Sequence, residues 1–207
     1  MKQKMALGLI GLLTGAVVIF QVSCTSQAEK PAELLAEKKE LTHGELVARG
    51  KYLTTVGGCN DCHSPKKFGP QGPSLDETRI LSGHPADAPM PPVDARALKP
   101  GYWLLFSGDV TAAVGPWGIS YAANLTPDSA TGIGAWSEET FVKTLRTGKH
   151  LGQEGGRPIL PPMPWQMVGQ MTDEDLKSVY TFLQSLPPVK NRVPAPLSPE
   201  ETAKLAK

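Results

Sequence analysis

Charge of either sign is not in excess in this chain. Lys and Arg number 21 against 20 Asp and Glu, a formal charge of +1, so the basic face that nucleic-acid binding usually needs is missing and no nucleic-acid partner is expected. Aromatic residues are scarce, at 6%. The side-chain core is therefore modest, and a large apolar cofactor would add buried surface that a small chain cannot supply alone. Histidines number four and cysteines three. Beyond Cys59-x-x-Cys62 there is no second Cys or Cys/His pair, which leaves a structural zinc site short of its four ligands. No internal repeat is present, and 207 residues favour one domain plus extensions over two full domains. Gly (21) and Pro (20) together make about a fifth of the chain, short of the disordered range. That composition fits a compact body with long irregular loops.

One long apolar run is present. Lys2 and Lys4 precede Met5 to Phe20, which is apolar or small apart from Thr14. A basic start followed by such a run reads as a secretory signal. It ends in Gln21-Val22-Ser23-Cys24, which resembles the lipobox of bacterial lipoproteins, with Gln21 where that family usually has Leu. On this reading residues 1–23 are a signal peptide and Cys24 is lipidated. Residues 24–41, rich in Ala, Glu and Lys, form a solvated tether. An uncleaved anchor and ordinary cleavage near Cys24 are the alternatives. The run is slightly short for a span of about 20 residues, and an anchor gives Cys24 no role. Several acyl chains would hold the protein on a bilayer. All three readings export the residues beyond Cys24.

Along the rest of the chain, Thr42-His43-Gly44-Glu45 has the form of a capping box. It predicts a first helix to about Val56, ended by Gly57-Gly58, where glycine lets the backbone turn. Ser64 to about Pro100 is dense in Pro and Gly and reads as loop. Tyr102–Ser107 and Val110–Ala123 suggest a small β-hairpin, interrupted in its second arm by Gly115-Pro116. Ser137-Glu138-Glu139 caps a helix to about Thr147. Thr172-Asp173-Glu174-Asp175 caps another, with Leu176, Val179, Tyr180 and Leu183 at i, i+3, i+4, i+7, stopped by Pro187-Pro188. The tail from Asn191 reads as linker, with a frayed helix after Ser198-Pro199.

The chemistry concentrates in Cys59-Asn60-Asp61-Cys62-His63. A Cys-x-x-Cys-His string is a c-type haem attachment site. Its two thiols are spaced to add to the two vinyl groups of one haem, and the following histidine lies under the iron, where its imidazole can bind. A thioredoxin-like pair would open a helix after a strand in a βαβ pattern, whereas here a helix precedes the motif and proline-rich loop follows. One motif implies one covalently bound haem c. Met163, in Pro161-Pro162-Met163-Pro164-Trp165, is the candidate second axial ligand. It lies on a stiff loop between two capped helices, and thioether ligation raises the reduction potential. Met167 and Met171 read as packing residues. Met90, also among prolines, is a rival with no helix close behind it. His150 could bind iron instead, whereas His43 and His84 are expected to face solvent.

These elements in this order resemble the class I cytochrome c fold over about Thr42 to Val189: three core helices around a covalent haem, mainly α, with a long loop and β-hairpin insertion over about 64–123 and a C-terminal tail at 190–207. Ala123-Asn124-Leu125-Thr126-Pro127-Asp128, Gly132-Ile133-Gly134-x-Trp136, Arg157-Pro158 and Met163-Pro164-Trp165 are similar to segments of the cytochrome c subunits of bacterial membrane-bound alcohol and sugar dehydrogenases. The resemblance implies that Asn124, Thr126, Trp136 and Trp165 pack near the haem and its propionates. It also implies that a proline carbonyl after the motif, Pro70 or Pro73, accepts the other imidazole N–H of His63. Those subunits carry several haems and this chain has one motif, so the partner enzyme does not transfer with the likeness. The first expectation is a non-enzymatic shuttle carrying single electrons between redox proteins of the cell envelope. The second is the same module fixed to a dehydrogenase or respiratory complex through the Ser64–Ala123 insert. An open-site haem enzyme or gas sensor, with Met163 detached, is the third.

Overall fold

The structure is a computed structural model and describes residues 40–206. The expected signal peptide at 1–23, Cys24 and almost all of the 24–41 tether lie outside the described residues. Among the described residues no helix is long and apolar enough to cross a membrane.

Three capped helices carry the first core. α1 (His43–Val56) starts at the expected capping box, with Glu45 N–H donating to Thr42 Oγ1 and Thr42 N–H to Glu45 Oε2. α2 (Cys59–His63) is the attachment motif itself. α3 (Glu138–Thr147) is capped by Ser137 and ends at left-handed Gly148, φ +65°. α4 (Trp165–Val168) is a single turn. α5 (Asp173–Gln184) is capped by Thr172. Leu176 and Leu183 of α5, Phe141 and Leu145 of α3, and Leu81 and Ile133 from the connections bury together. The Tyr180 hydroxyl, at the edge of that cluster, donates to the Trp136 carbonyl at 2.8 Å. α1 crosses α5 at Gly50, where an added Cβ would overlap the Ser178 carbonyl oxygen and lie 2.6 Å from Phe182 Cβ. Arg49 Nε closes the same crossing on Asp175 at 2.6 Å.

The insert is more ordered than the sequence suggests, and it makes the fold mixed α and β. Within the expected loop, β1 (Lys66–Gly69) and β2 (Gly72–Leu75) pair antiparallel, Lys66 opposite Leu75 and Gly69 opposite Gly72. Pro73 is tolerated because both strands of a two-stranded ribbon are edges. Asp76 ends the ribbon. Its N–H donates to Pro65 O, and its carboxylate accepts from Thr78 and pairs with Lys67 at 2.9 Å. The Asp94-capped 3₁₀ turn Ala95–Leu98 follows. The expected hairpin has an extra strand. β3 (Leu105–Phe106), β4 (Ala112–Gly115) and β5 (Gly118–Tyr121) form a sheet in that order, with the chain turning between Gly115 and Gly118 where the sequence interrupts the second arm.

The tail is part of the fold rather than a linker. Leu197 bridges Ile119, with both hydrogen bonds at 3.0 Å, and Ala206 bridges Val93. α6 (Pro199–Leu205) has a complete capping box from Ser198 and Glu201. Leu197 and Ala206 pack on a second apolar cluster built from Val93, Ala97, Val114 and Ile119. Gly118, at φ +96°, is the point of closest approach: a Cβ there would overlap the Leu197 carbonyl. The tail's apolar residues stand between prolines, so no period announces the packing.

Two outcomes test this architecture. Gly50→Ala forces α1 off α5 and lowers the guanidinium unfolding midpoint, with a stability loss of about 1–3 kcal/mol typical of overpacking. An unchanged midpoint contradicts the close crossing. Bonds from Thr78, then Lys67, hold the Asp76 carboxyl down at about 2, below its ordinary 3.8. Its stabilising contribution is therefore full above pH 3.8 and is lost as pH falls toward 2, which a carbon-detected NMR titration of that carboxyl reads directly.

Candidate haem-binding site

The motif is one turn of helix. Gly57 N–H closes α1 on Leu53 O at 2.8 Å, and Gly58, left-handed at φ +65°, redirects the chain into α2. Cys59, Cys62 and His63 then stand at i, i+3 and i+4, on one side of that turn. Both cysteines are partly exposed and not disulfide-bonded. Burial pushes both thiols above their ordinary value. The helix backbone opposes this at Cys59, and the Lys66 charge opposes it at Cys62.

His63 is buried, and its Nδ1 lies 2.8 Å from the carbonyl oxygen of Ala123. A carbonyl can only accept, so Nδ1 carries the proton, and in the neutral ring the lone pair is on Nε2. Burial pushes His63 below its ordinary pKa, the Ala123 bond pulls the other way, and Lys66 adds to the lowering. The outcome is a neutral imidazole at neutral pH, held in the tautomer that presents Nε2 to a metal. The acceptor differs from the one the family likeness implied. Pro70 and Pro73 lie exposed in the β1–β2 ribbon, which pairs with itself.

The Ala123 carbonyl is placed by two strips of backbone lying side by side. Leu125 N–H donates to Leu81 O at 2.9 Å and His84 N–H to Ala122 O at 2.9 Å, while Gly83 N–H donates to His63 O at 2.7 Å. Gly83 has φ +79°, and a Cβ on it would sit 2.7 Å from Ala123 O. His84, expected to face solvent, is buried as a result. Its Nδ1 is 2.7 Å from Thr111 Oγ1, and its ring lies 4.9 Å from that of Tyr121. His43 is exposed.

Asn124 and Thr126 are buried next to that carbonyl. Asn124 Oδ1 accepts from Thr126 N–H and Oγ1, and its Nδ2 donates to Val189 O at 2.8 Å and to Asn191 O and Thr131 Oγ1 at 3.3 Å. Their polar atoms bind the chain to itself around residue 189.

Met163 is partly buried and packs, like Cys59 and Trp136, against the helical cluster. Its loop is tied down on several sides. Ser120 Oγ donates to Pro161 O at 2.6 Å and Ile159 N–H to Gly148 O at 2.8 Å, while Lys149 bridges Pro158. The Trp165 indole covers Gly148 so closely that a Cβ there would enter the ring. Among the rivals, Met90 packs on the other cluster, with the sheet. Met171 packs as expected, but Met167 is 73% exposed, because α4 is too short to bury more than one side. The His150 ring lies edge-on to Trp136 at 5.7 Å. The Ala123 carbonyl, Gly83 and Asn191 carry no signal in the sequence: the first is backbone, and the other two lie in segments whose local pattern is that of loop and linker.

Among the described residues no group of three or more His, Cys, Asp and Glu side chains could hold a metal ion. The donor set is instead one oriented imidazole lone pair and two thiols on one helical face, above an apolar cluster. That set fits an iron already held in a porphyrin, a single covalently bound haem c.

No protein-family model matches the chain. It is 31% identical over 159 residues to the gluconate 2-dehydrogenase cytochrome c subunit of Pantoea cypripedii, covering 74% of this chain and 27% of that protein. It is 36% identical over 150 residues to a subunit of the nicotinate dehydrogenase of Pseudomonas putida, 72% of this chain and 9% of that one. With the alcohol dehydrogenase (quinone) cytochrome c subunit of Gluconobacter oxydans it shares 34% over 152 residues, 73% and 24% respectively. The chain thus spans about a quarter or less of these curated relatives. Taken with the helical attachment motif and the oriented His63 imidazole, the likeness establishes that the chain belongs to the c-type cytochromes and is similar to the cytochrome c subunits of bacterial dehydrogenases.

Proposed function

We propose that this chain is the haem-bearing electron-transfer subunit of a dehydrogenase complex in the bacterial cell envelope. Cys59 and Cys62 would hold the haem through thioethers, and His63 Nε2 and Met163 Sδ would be the ligands of its iron. When bound, the haem supplies a one-electron ferric/ferrous couple. His63 stays neutral and fixed through the cycle, and the tethered Met163 loop keeps a weak thioether ligand in place and substrate off the metal. Trp136 and Trp165 shield this side from water, and Asn124 and Thr126 act through the backbone they hold. The observation that carries the reading is the hydrogen bond from His63 Nδ1 to Ala123, which leaves the lone pair of the other nitrogen for a metal.

The subunit role takes precedence over the freely diffusing shuttle of the first expectation. Relatives with "subunit" in their names support it, and so does the insert. Phe68 (65% exposed), Trp103 (75%), Leu104 and Phe106 stand out of it into solvent, and Phe68 lies against Gly108 two residues beyond Phe106. Exposed apolar side chains of this size are typical of a surface that meets another protein. Export through residues 1–23 and a lipid on Cys24 would keep the complex at a membrane.

Two outcomes check the assignments. In protein made by a host with haem-attachment machinery, the wild type is low-spin and shows the weak far-red ferric band of iron–sulfur ligation. Met163→Ala loses that band and binds carbon monoxide when reduced; a band that persists assigns the ligand elsewhere. Replacing Trp103 and Phe106 together by Ser leaves the spectrum unchanged but lowers copurification of a dehydrogenase several-fold. Undiminished copurification removes the insert from the interface.

A further inference from the structure

Asn191 is hydrogen-bonded to no residue of the motif, yet it holds the strip that holds His63. Its Nδ2 donates to Ser82 O at 2.8 Å and to His84 O at 2.9 Å, the two carbonyls on either side of Gly83. Its Oδ1 accepts from Ala86 N–H at 3.0 Å. Its own backbone is fixed at both ends, with N–H donating to Thr131 Oγ1 at 3.0 Å and the carbonyl accepting from Asn124 Nδ2 at 3.3 Å. One side chain therefore spans more than a hundred residues of sequence to brace the backbone whose middle residue donates to His63 O and lies against Ala123 O.

We infer that Asn191 is a positioning residue that sets the reduction potential, by holding the 82–86 strip against the Ala123 carbonyl and so fixing its hydrogen bond with His63. The inference rests on the haem reading above. A firm bond from Nδ1–H to a carbonyl makes the imidazole a stronger donor to iron, and a stronger donor favours the ferric state. With Asn191→Ala the brace loses three hydrogen bonds, the strip relaxes, and the Ala123 bond lengthens. The couple then moves toward ferrous.

The test is spectroelectrochemistry of the full-length, haem-loaded protein. Asn191→Ala is expected to raise the ferrous-to-ferric ratio at a fixed applied potential by about threefold to tenfold, where tenfold is about 59 mV for one electron. Thr131→Val loosens Asn191 from behind without altering it, should shift the ratio the same way by less, and serves if Asn191→Ala does not fold. Arg49→Ala breaks the α1–α5 ion pair, so it lowers stability without touching the strip, and its ratio should match wild type. A haem-loaded Asn191→Ala or Thr131→Val with wild-type ratio overturns the inference alone. So does an equal shift in Arg49→Ala, since that would make the effect one of general stability. A wild-type protein without covalent haem overturns the functional reading and this inference with it.

Discussion

The hydrogen bond between His63 Nδ1 and the Ala123 carbonyl joins groups 60 residues apart, and much of the molecule is arranged to make it. His63 sits at the end of a five-residue helix that cannot orient a ring unaided. A buried imidazole left without a partner would lose a hydrogen bond and its tautomer would be unspecified. The chain must therefore travel through the insert and return with a carbonyl in the right place. The ribbon β1–β2, the sheet β3–β5 and the strip around Gly83 are the means of return. Asn124, Thr126 and Asn191 then lock that return to the segment that follows α5.

This arrangement divides the labour between two cores. The helical core is apolar and faces the motif, with Cys59, Trp136 and Met163 at its margin. The sheet core holds no residue of the motif. It supports the insert, whose last strand leads directly into Ala122 and Ala123, and Ser120 of that strand also holds the Met163 loop through Pro161 O. Both the acceptor of His63 and the loop that carries Met163 thus depend on β5 or the residues that follow it. The C-terminal helix α6 belongs to the same logic, since it and Leu197 cover the sheet that carries β5.

What could be read from the sequence was local. Thr42, Ser137 and Thr172 each announce a helix within a few residues, because a cap satisfies amides only three positions away and the apolar period follows at once. The attachment motif is local too, five consecutive residues with one chemistry. What could not be read depends on distant partners. β1 and β2 contain Pro and Gly and look like loop until they are paired. His84 looks polar and exposed until Thr111 and Tyr121 enclose it. Residues 191–206 have no period because their prolines break it, and their burial is decided by Ile119 and Val93. The Ala123 carbonyl is the extreme case: any residue has one, and only the fold selects which. The likeness to known cytochromes located the segment from Ala123 to Asp128 but not the hydrogen bond its first residue makes, which takes the place of the implied proline acceptor.

The central claim is that the Cys59–His63 turn holds one haem covalently, with its histidine already oriented to bind iron. Intact mass measurement of the protein, made with haem-attachment machinery and unfolded in acid, tests it most directly. The account predicts a mass exceeding that of the processed polypeptide by one haem, which acid–acetone extraction does not remove. A bare polypeptide mass, or haem that leaves on extraction, would contradict it.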